Sequence, residues 1–168
     1  MAACEPVQDS LDRSQKEILT AEVLESLTGL TTAMNAHDPD QVFEYYRQNE
    51  DFLYLGCTDL MAGWETFSPR ASSYYMANPL VTFQRETVHV QILSPAVAVA
   101  TLRGSSSEVE ALFWTQVLVK EEGTWRIAHE HESWPGCSPP SGSHPLTSPA
   151  DTVGLGAGEE DPQGSGGV

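Results

Sequence analysis

Apolar positions along this chain follow two rhythms: helical spacing up to about residue 77, and strand-like alternation from residue 81 onward. Leu19, Val23, Leu27, Leu30 and Met34 recur every three or four residues, the stripe of an amphipathic helix. Ser14-Gln15-Lys16-Glu17 has the form of a capping box and marks its start, and Asn35-Ala36-His37 its end. Asp38-Pro39 then predicts a second helix, with Asp as N-cap and Pro at the first helical position, burying Val42, Phe43 and Tyr46. Residues 51–56 read as a short strand and 57–62 as a turn region. A third helix is predicted over about 64–77, with Phe67, Ala71, Tyr74 and Tyr75 on one face and Asn78-Pro79 as its stop.

The remainder alternates with period two. Strands are predicted over 81–93, 96–103, 108–120 and 124–134, with Ser94-Pro95 and Glu121-Glu122-Gly123 as turns. In the first of them Val88, Val90 and Ile92 share a face. Helices segregated from a largely antiparallel sheet make an α+β pattern.

Composition sets the boundaries of this domain. Residues 135–168 hold eight Gly, six Pro and five Ser and no Lys or Arg. Such a stretch buries too little apolar area to offset its ordering entropy and is expected to be disordered. The expected organisation is therefore a disordered segment 1–13, a folded domain 14–134 and a disordered acidic tail 135–168. Glu159, Glu160 and Asp161 are expected to be solvated.

Charge excludes some partners. The 168 residues carry 24 acids against 8 Lys and Arg, a net charge of −16. A surface this acidic repels phosphate backbones and anionic lipid heads, so no nucleic-acid partner is expected. No stretch approaches the roughly 20 apolar residues of a membrane-spanning helix. Cys4, Cys57 and Cys137 are odd in number and widely spaced, which suggests neither a disulfide framework nor a thiolate metal site. Met1-Ala2-Ala3-Cys4 has the look of the end of a lipoprotein signal whose basic and apolar regions are missing. Two compartments stay open: cytoplasmic, or extracytoplasmic with Cys4 as a lipid anchor.

The closing run Gly123-Thr124-Trp125-Arg126-Ile127-Ala128-His129-Glu130-His131-Glu132-Ser133 resembles the end of SnoaL-like domains and of the calmodulin-dependent kinase II association domain. Asn35-Ala36-His37-Asp38 between the first two helices, and Phe52-Leu53-Tyr54-Leu55-Gly56 before Gly63-Trp64-Glu65, add to the resemblance. It covers roughly residues 14–134. The resemblance implies a nuclear-transport-factor-2-like α+β fold: a cone-shaped, curved, mostly antiparallel sheet with three helices in the N-terminal half. It also implies an internal pocket and a homodimer formed through the outer sheet faces. The superfamily includes isomerases, cyclases, dehydratases and non-enzymatic association modules, so fold alone does not choose an activity.

Parity along the strands sorts the side chains. On the last strand Trp125, Ile127, His129, His131 and Ser133 are expected to share one face, and Arg126, Ala128, Glu130 and Glu132 the other. The resemblance puts Trp114, Gln116, Glu130 and Glu132 inward and His129 and His131 on the outer, dimer-interface face. The kinase association domain carries pocket arginines at the positions of Gln116 and Glu132, so the departure weakens any carboxylate-binding pocket of that kind. Two carboxylates at i and i+2 on one strand face stand roughly 6–7 Å apart. They cannot both ionise easily in a partly apolar pocket, and one can then serve as a general acid or base. Glu132, and next Glu130, are the catalytic candidates; Tyr54, Trp64, Tyr74, Trp114 and Gln116 are the candidate ligand contacts. His129 and His131 could share a metal with a third ligand such as His89, but an interface role is the plainer reading, and no metal or cofactor is expected.

Three functions remain open, in this order. The first is a dimer that binds a small, largely apolar molecule without catalysis. The second is an isomerase, cyclase or dehydratase with a Glu general base. The third is an association module. A buried Glu132 with a raised pKa and a Tyr or Trp donor in reach favours the enzyme. A pocket plugged by Trp64, Tyr74 and Trp114 favours the association module.

Overall fold

The structure, a computed structural model, describes residues 11–137. The expectations for Cys4, for residues 1–10 and for the tail beyond Cys137 fall outside that range. Helix α1 spans Arg13–Ala36, α2 Pro39–Phe43 and α3 Trp64–Ala77. The strands are β1 Leu53–Leu55, β2 Leu60–Ala62, β3 Phe83–Ser94, β4 Val97–Ser106, β5 Leu112–Glu121 and β6 Thr124–Ser133.

α1 starts two residues earlier than Ser14 suggested. Asp12, not Ser14, is the N-cap: its carboxylate accepts from the Gln15 amide at 2.8 Å, and the Gln15 side chain accepts from the Asp12 amide at 3.0 Å. The reciprocal geometry is the one expected, supplied by an Asp–Gln pair. The stripe Val23, Leu27, Leu30 and Met34 is buried. His37 closes the helix in the left-handed conformation, and Asn35 reaches across to β3, where its side chain donates to and accepts from the Phe83 backbone. α2 is capped by Asp38 with Pro39 at its first position, as the sequence predicts.

The expected cone is not formed. The six strands make one open sheet in the order β2-β1-β6-β5-β4-β3, and its two edges, β2 and β3, do not pair with each other. Nor is the sheet uniformly antiparallel, because β1 runs parallel to β6. It is a mixed, open sheet with α1 against β3 and β6. β2, expected to be turn, is the outer partner of β1. Three residues with one buried side chain, Met61, carry too little pattern to be read as a strand.

Simple parity also fails within the long strands, each time for the same reason. On β6, His129 opposes Val117 and Ile127 opposes Leu118, which leaves Ala128 unopposed. On β3, Thr87 opposes Leu102 and His89 opposes Thr101, leaving Val88 unopposed. An unopposed residue of this kind is a β-bulge and switches the face of everything beyond it. Trp125 and Ile127 therefore lie in the core on the side of Glu130, not on the side of His129 and His131. Val88 points outward and is exposed, while Phe83 and Arg85 take the inner face.

Cys57 and Cys137 are joined as a disulfide, with Cα atoms 5.2 Å apart. The wide spacing that argued against pairing is bridged by topology. Because β1 and β6 are parallel, both leave the sheet at the same end, and the residues following each meet there.

Candidate functional site

A cavity of about 380 Å³ lies between the inner sheet face and the helices. That volume suits a small organic molecule. Its apolar wall comes from Met34, Phe67, Phe83, Leu112 and Trp114, and its polar floor from Glu130, Glu132, Tyr46, Tyr54 and Arg85.

β6 presents the two acids, and the Ala128 bulge brings them to the inner side. Glu130 is buried; Tyr46 Oη donates to its Oε2 at 3.1 Å, and Gln116 Nε2 donates to the same oxygen. Loss of hydration pushes the Glu130 carboxyl above the usual range, against the pull of Arg85, Gln116 and Tyr46. Glu132 sits nearer the opening, and Tyr54 Oη donates to its Oε2 at 3.1 Å. Its pKa is raised to about 7, by burial first and the neighbouring Glu130 charge second; Tyr54 and Arg85 hold it from rising further. Half of Glu132 is therefore ionised near neutral pH, the condition under which a carboxyl can both take and return a proton. Burial, and the two acids, push the hydroxyls of Tyr46, Tyr54 and Tyr75 up, so all three stay protonated donors.

Trp114, Tyr54 and Tyr74 line the cavity, with Tyr74 at its rim and 40% exposed. Trp64 and Gln116 do not. Trp64 belongs to an aromatic cluster behind the wall, its ring 4.9 Å from Phe43 and 5.8 Å from Phe52. Gln116 is fully buried beneath Glu130, where it acts on the carboxylate and not on the cavity. His129 and His131 point away from the site, across the sheet from the two glutamates. Among the described residues no three His, Cys, Asp or Glu side chains are placed to hold a metal ion.

Sequence reading missed Arg85. It lines the cavity from β3, and its guanidinium carbon stands 4.9 Å over the Trp114 ring. Its signal is the alternation Phe83-x-Arg85-x-Thr87; the face shared by Val88, Val90 and Ile92 does not carry back to it, because the bulge at Val88 switches the parity. Arg70 also reaches the cavity, and it is held at the rim by Asp59 at 2.8 Å.

Residues 23–136 match the family model described as a SnoaL-like domain. No curated protein matches the chain. Among solved structures it is similar to an NTF-2-like protein of unknown function from Shewanella oneidensis MR-1, at 21% identity and a TM-score of 0.58 over 68% of this chain and 98% of that one. A protein of the NTF2-like family from Streptomyces avermitilis, provisionally described as a dehydratase, superposes with a TM-score of 0.62 at 13% identity, over 70% of this chain and 97% of its own. A ketosteroid isomerase-like protein from Erwinia carotovora atroseptica gives 0.52 at 18% identity, over 68% and 95%. At these identities the likeness speaks for the fold alone.

Proposed function

The chain belongs to the SnoaL-like domain family, and from that premise we propose that it is an acid–base enzyme of the isomerase, cyclase or dehydratase type, acting on a small, largely apolar molecule bound in the cavity. One observation carries this reading: a cavity-facing carboxyl, Glu132, whose pKa of about 7 is set by burial and a like charge, with the Tyr54 hydroxyl 3.1 Å away. Glu132 is the general base. It removes a proton from an activated carbon and returns it, or passes it to a leaving hydroxyl. Tyr54 orients the carboxylate. Glu130, tied down by Tyr46 and Gln116, tunes Glu132 by its charge and does not itself exchange protons with the ligand.

Proteins described as a provisional dehydratase and as ketosteroid isomerase-like share this fold, so the fold is compatible with this reaction class. An open cavity of about 380 Å³ argues against the association module, which was to have its pocket filled by Trp64, Tyr74 and Trp114. It also accommodates a ligand without catalysis. The position and titration of Glu132 favour the enzyme over that reading.

The test is solvent hydrogen exchange. A panel of enolisable aromatic and alicyclic ketones is incubated with the protein in D₂O and followed by proton NMR. Deuterium incorporation should rise with pH along a titration centred near 7 and be lost in Glu132→Gln. Exchange that is undiminished in Glu132→Gln rules this reading out.

Homodimerisation through the outer sheet face is part of the same proposal. Phe113, half exposed, lies there beside the cross-strand pair Thr115 and His131. Phe113→Glu should then convert a dimer into a monomer in multi-angle light scattering.

A further inference from the structure

We infer that the ligand of this cavity carries a carboxylate, and that Arg85 is the residue that receives it, side-on, through Nε and Nη2. The inference deepens the reading of the cavity as a substrate site and rests on it.

Four observations on Arg85 lead here. First, its Nε is buried and has no hydrogen-bond partner. An unpaired donor on a charged group is costly to bury, so its retention in a cavity wall calls for an acceptor that arrives from outside. Secondly, the contact it does make uses the opposite edge. Nη1 lies 3.5 Å from Met34 Sδ, a weak acceptor, which leaves the Nε–Nη2 edge unpaired. Two parallel N–H donors on that edge match the two oxygens of a carboxylate.

Thirdly, the charge is not spent in a contact ion pair. Among the described residues the ion pairs of Arg13, Arg47, Arg70, Arg103 and Lys120 all have carboxylates within 4.0 Å, and Arg85 is in none of them. Glu130 and Glu132 lie in the same cavity, but their hydrogen bonds come from Tyr46, Gln116 and Tyr54. Fourthly, the guanidinium carbon stands 4.9 Å over the Trp114 ring, a cation–π contact that holds the charged group in the cavity wall before a ligand arrives. The same indole, with Phe83 and Leu112, offers an apolar surface to the body of the molecule. An apolar or aromatic skeleton with one carboxylate satisfies both halves of this wall.

Arg70, Tyr46 and Tyr54 do not compete for the role. Arg70 is engaged by Asp59 at 2.8 Å and stands at the rim. The hydroxyls of Tyr46 and Tyr54 already donate to the two glutamates.

The experiment compares acid and amide isosteres on the full chain by isothermal titration calorimetry: phenylacetate with phenylacetamide, and 3-phenylpropionate with its amide. The acid of each pair should bind about tenfold tighter or better, the scale of one charge-assisted pair. Arg85→Gln should erase that preference while leaving the amide's affinity in place, and Arg85→Lys should keep part of it. Equal or weaker binding of the acids, a preference that survives Arg85→Gln, or no binding by either member of both pairs overturns the inference. Should Arg85→Gln fail to fold, the wild-type comparison and Arg85→Lys decide the matter. Glu132→Gln separates this inference from the catalytic reading. That variant should lose hydrogen exchange yet keep the preference for the acid, so either can fail alone.

Discussion

Tyr54 Oη lies 3.1 Å from Glu132 Oε2, a hydrogen bond from the middle of the three-residue strand β1 to the penultimate residue of the last strand, β6. The parallel pairing of β1 with β6 sets it up: Tyr54 stands opposite Glu130 in register, and its ring leans along the strand to the next inward carboxylate. The bond stabilises the ionised form of Glu132. Tyr54→Phe is therefore expected to raise the Glu132 pKa above its value of about 7. Glu130→Gln is expected to lower it, because the like charge is removed. Carbon-13 NMR of labelled glutamate, with Glu132→Gln to assign the signal, measures both. Shifts in the opposite directions would show that Tyr54 and Glu130 do not control this carboxyl.

Stability should carry the same signature. Glu132 has a folded pKa of about 7 against 4.5 for an unperturbed Glu, and Glu130 is raised as well. Between those values the unfolded chain holds fewer protons than the folded one, so stability falls as pH rises, and it levels off above the folded pKa. For Glu132 the difference amounts to roughly 3 kcal/mol at most. Glu132→Gln should unfold at a higher temperature than the wild type at pH 8 and gain little at pH 4.5. A variant less stable than wild type at pH 8 would mean that the ionised carboxylate supports the fold.

The long elements were legible because their signals repeat. Five apolar residues at helical spacing define α1, and Asp38-Pro39 states its meaning in two residues. The inward pair Glu130 and Glu132 was also legible, through the closing motif more than through parity. Parity itself broke down at Ala128 and Val88, since a bulge adds one residue to one strand and leaves no local mark in composition. Arg85 lies before the Val88 bulge, so the face shared by Val88, Val90 and Ile92 does not place it. The open sheet edges and the Cys57–Cys137 bond depend on which strands become neighbours, a property of the whole topology that single stretches of sequence do not state.

The disulfide makes its own prediction. It closes a loop between residues 80 positions apart, and Cys137 follows Trp134, a residue of the cavity wall, by three positions. On the chain-entropy account, a loop of that size contributes about 4 kcal/mol. Reduction, or the double variant Cys57→Ser and Cys137→Ser, should lower the denaturant midpoint accordingly. The single variant Cys137→Ser should give nearly the same loss as the double variant. A midpoint indifferent to dithiothreitol would show that the bond adds nothing to the folded state.

Gly104 is the position where the sheet tolerates no side chain. It opposes Arg85 across β3 and β4, and a Cβ placed on it would stand 1.9 Å from the Gln84 carbonyl oxygen and 3.1 Å from the Arg85 Cα. Both atoms are backbone, so no rotamer change can relieve the contact; β3 has to move away from β4. Gly104→Ala is thus expected to cost about 3 kcal/mol or more, at the upper end of overpacking penalties. The displaced segment carries Arg85, whose place over Trp114 depends on the β3 backbone. Chemical denaturation gives the first effect. Trp114 is one of four tryptophans in the chain, and Trp114→Phe identifies its share of the fluorescence. If Gly104→Ala alters that share, the glycine positions the guanidinium as well as the strands. An alanine variant as stable as wild type would instead require the two strands to be further apart than this register places them.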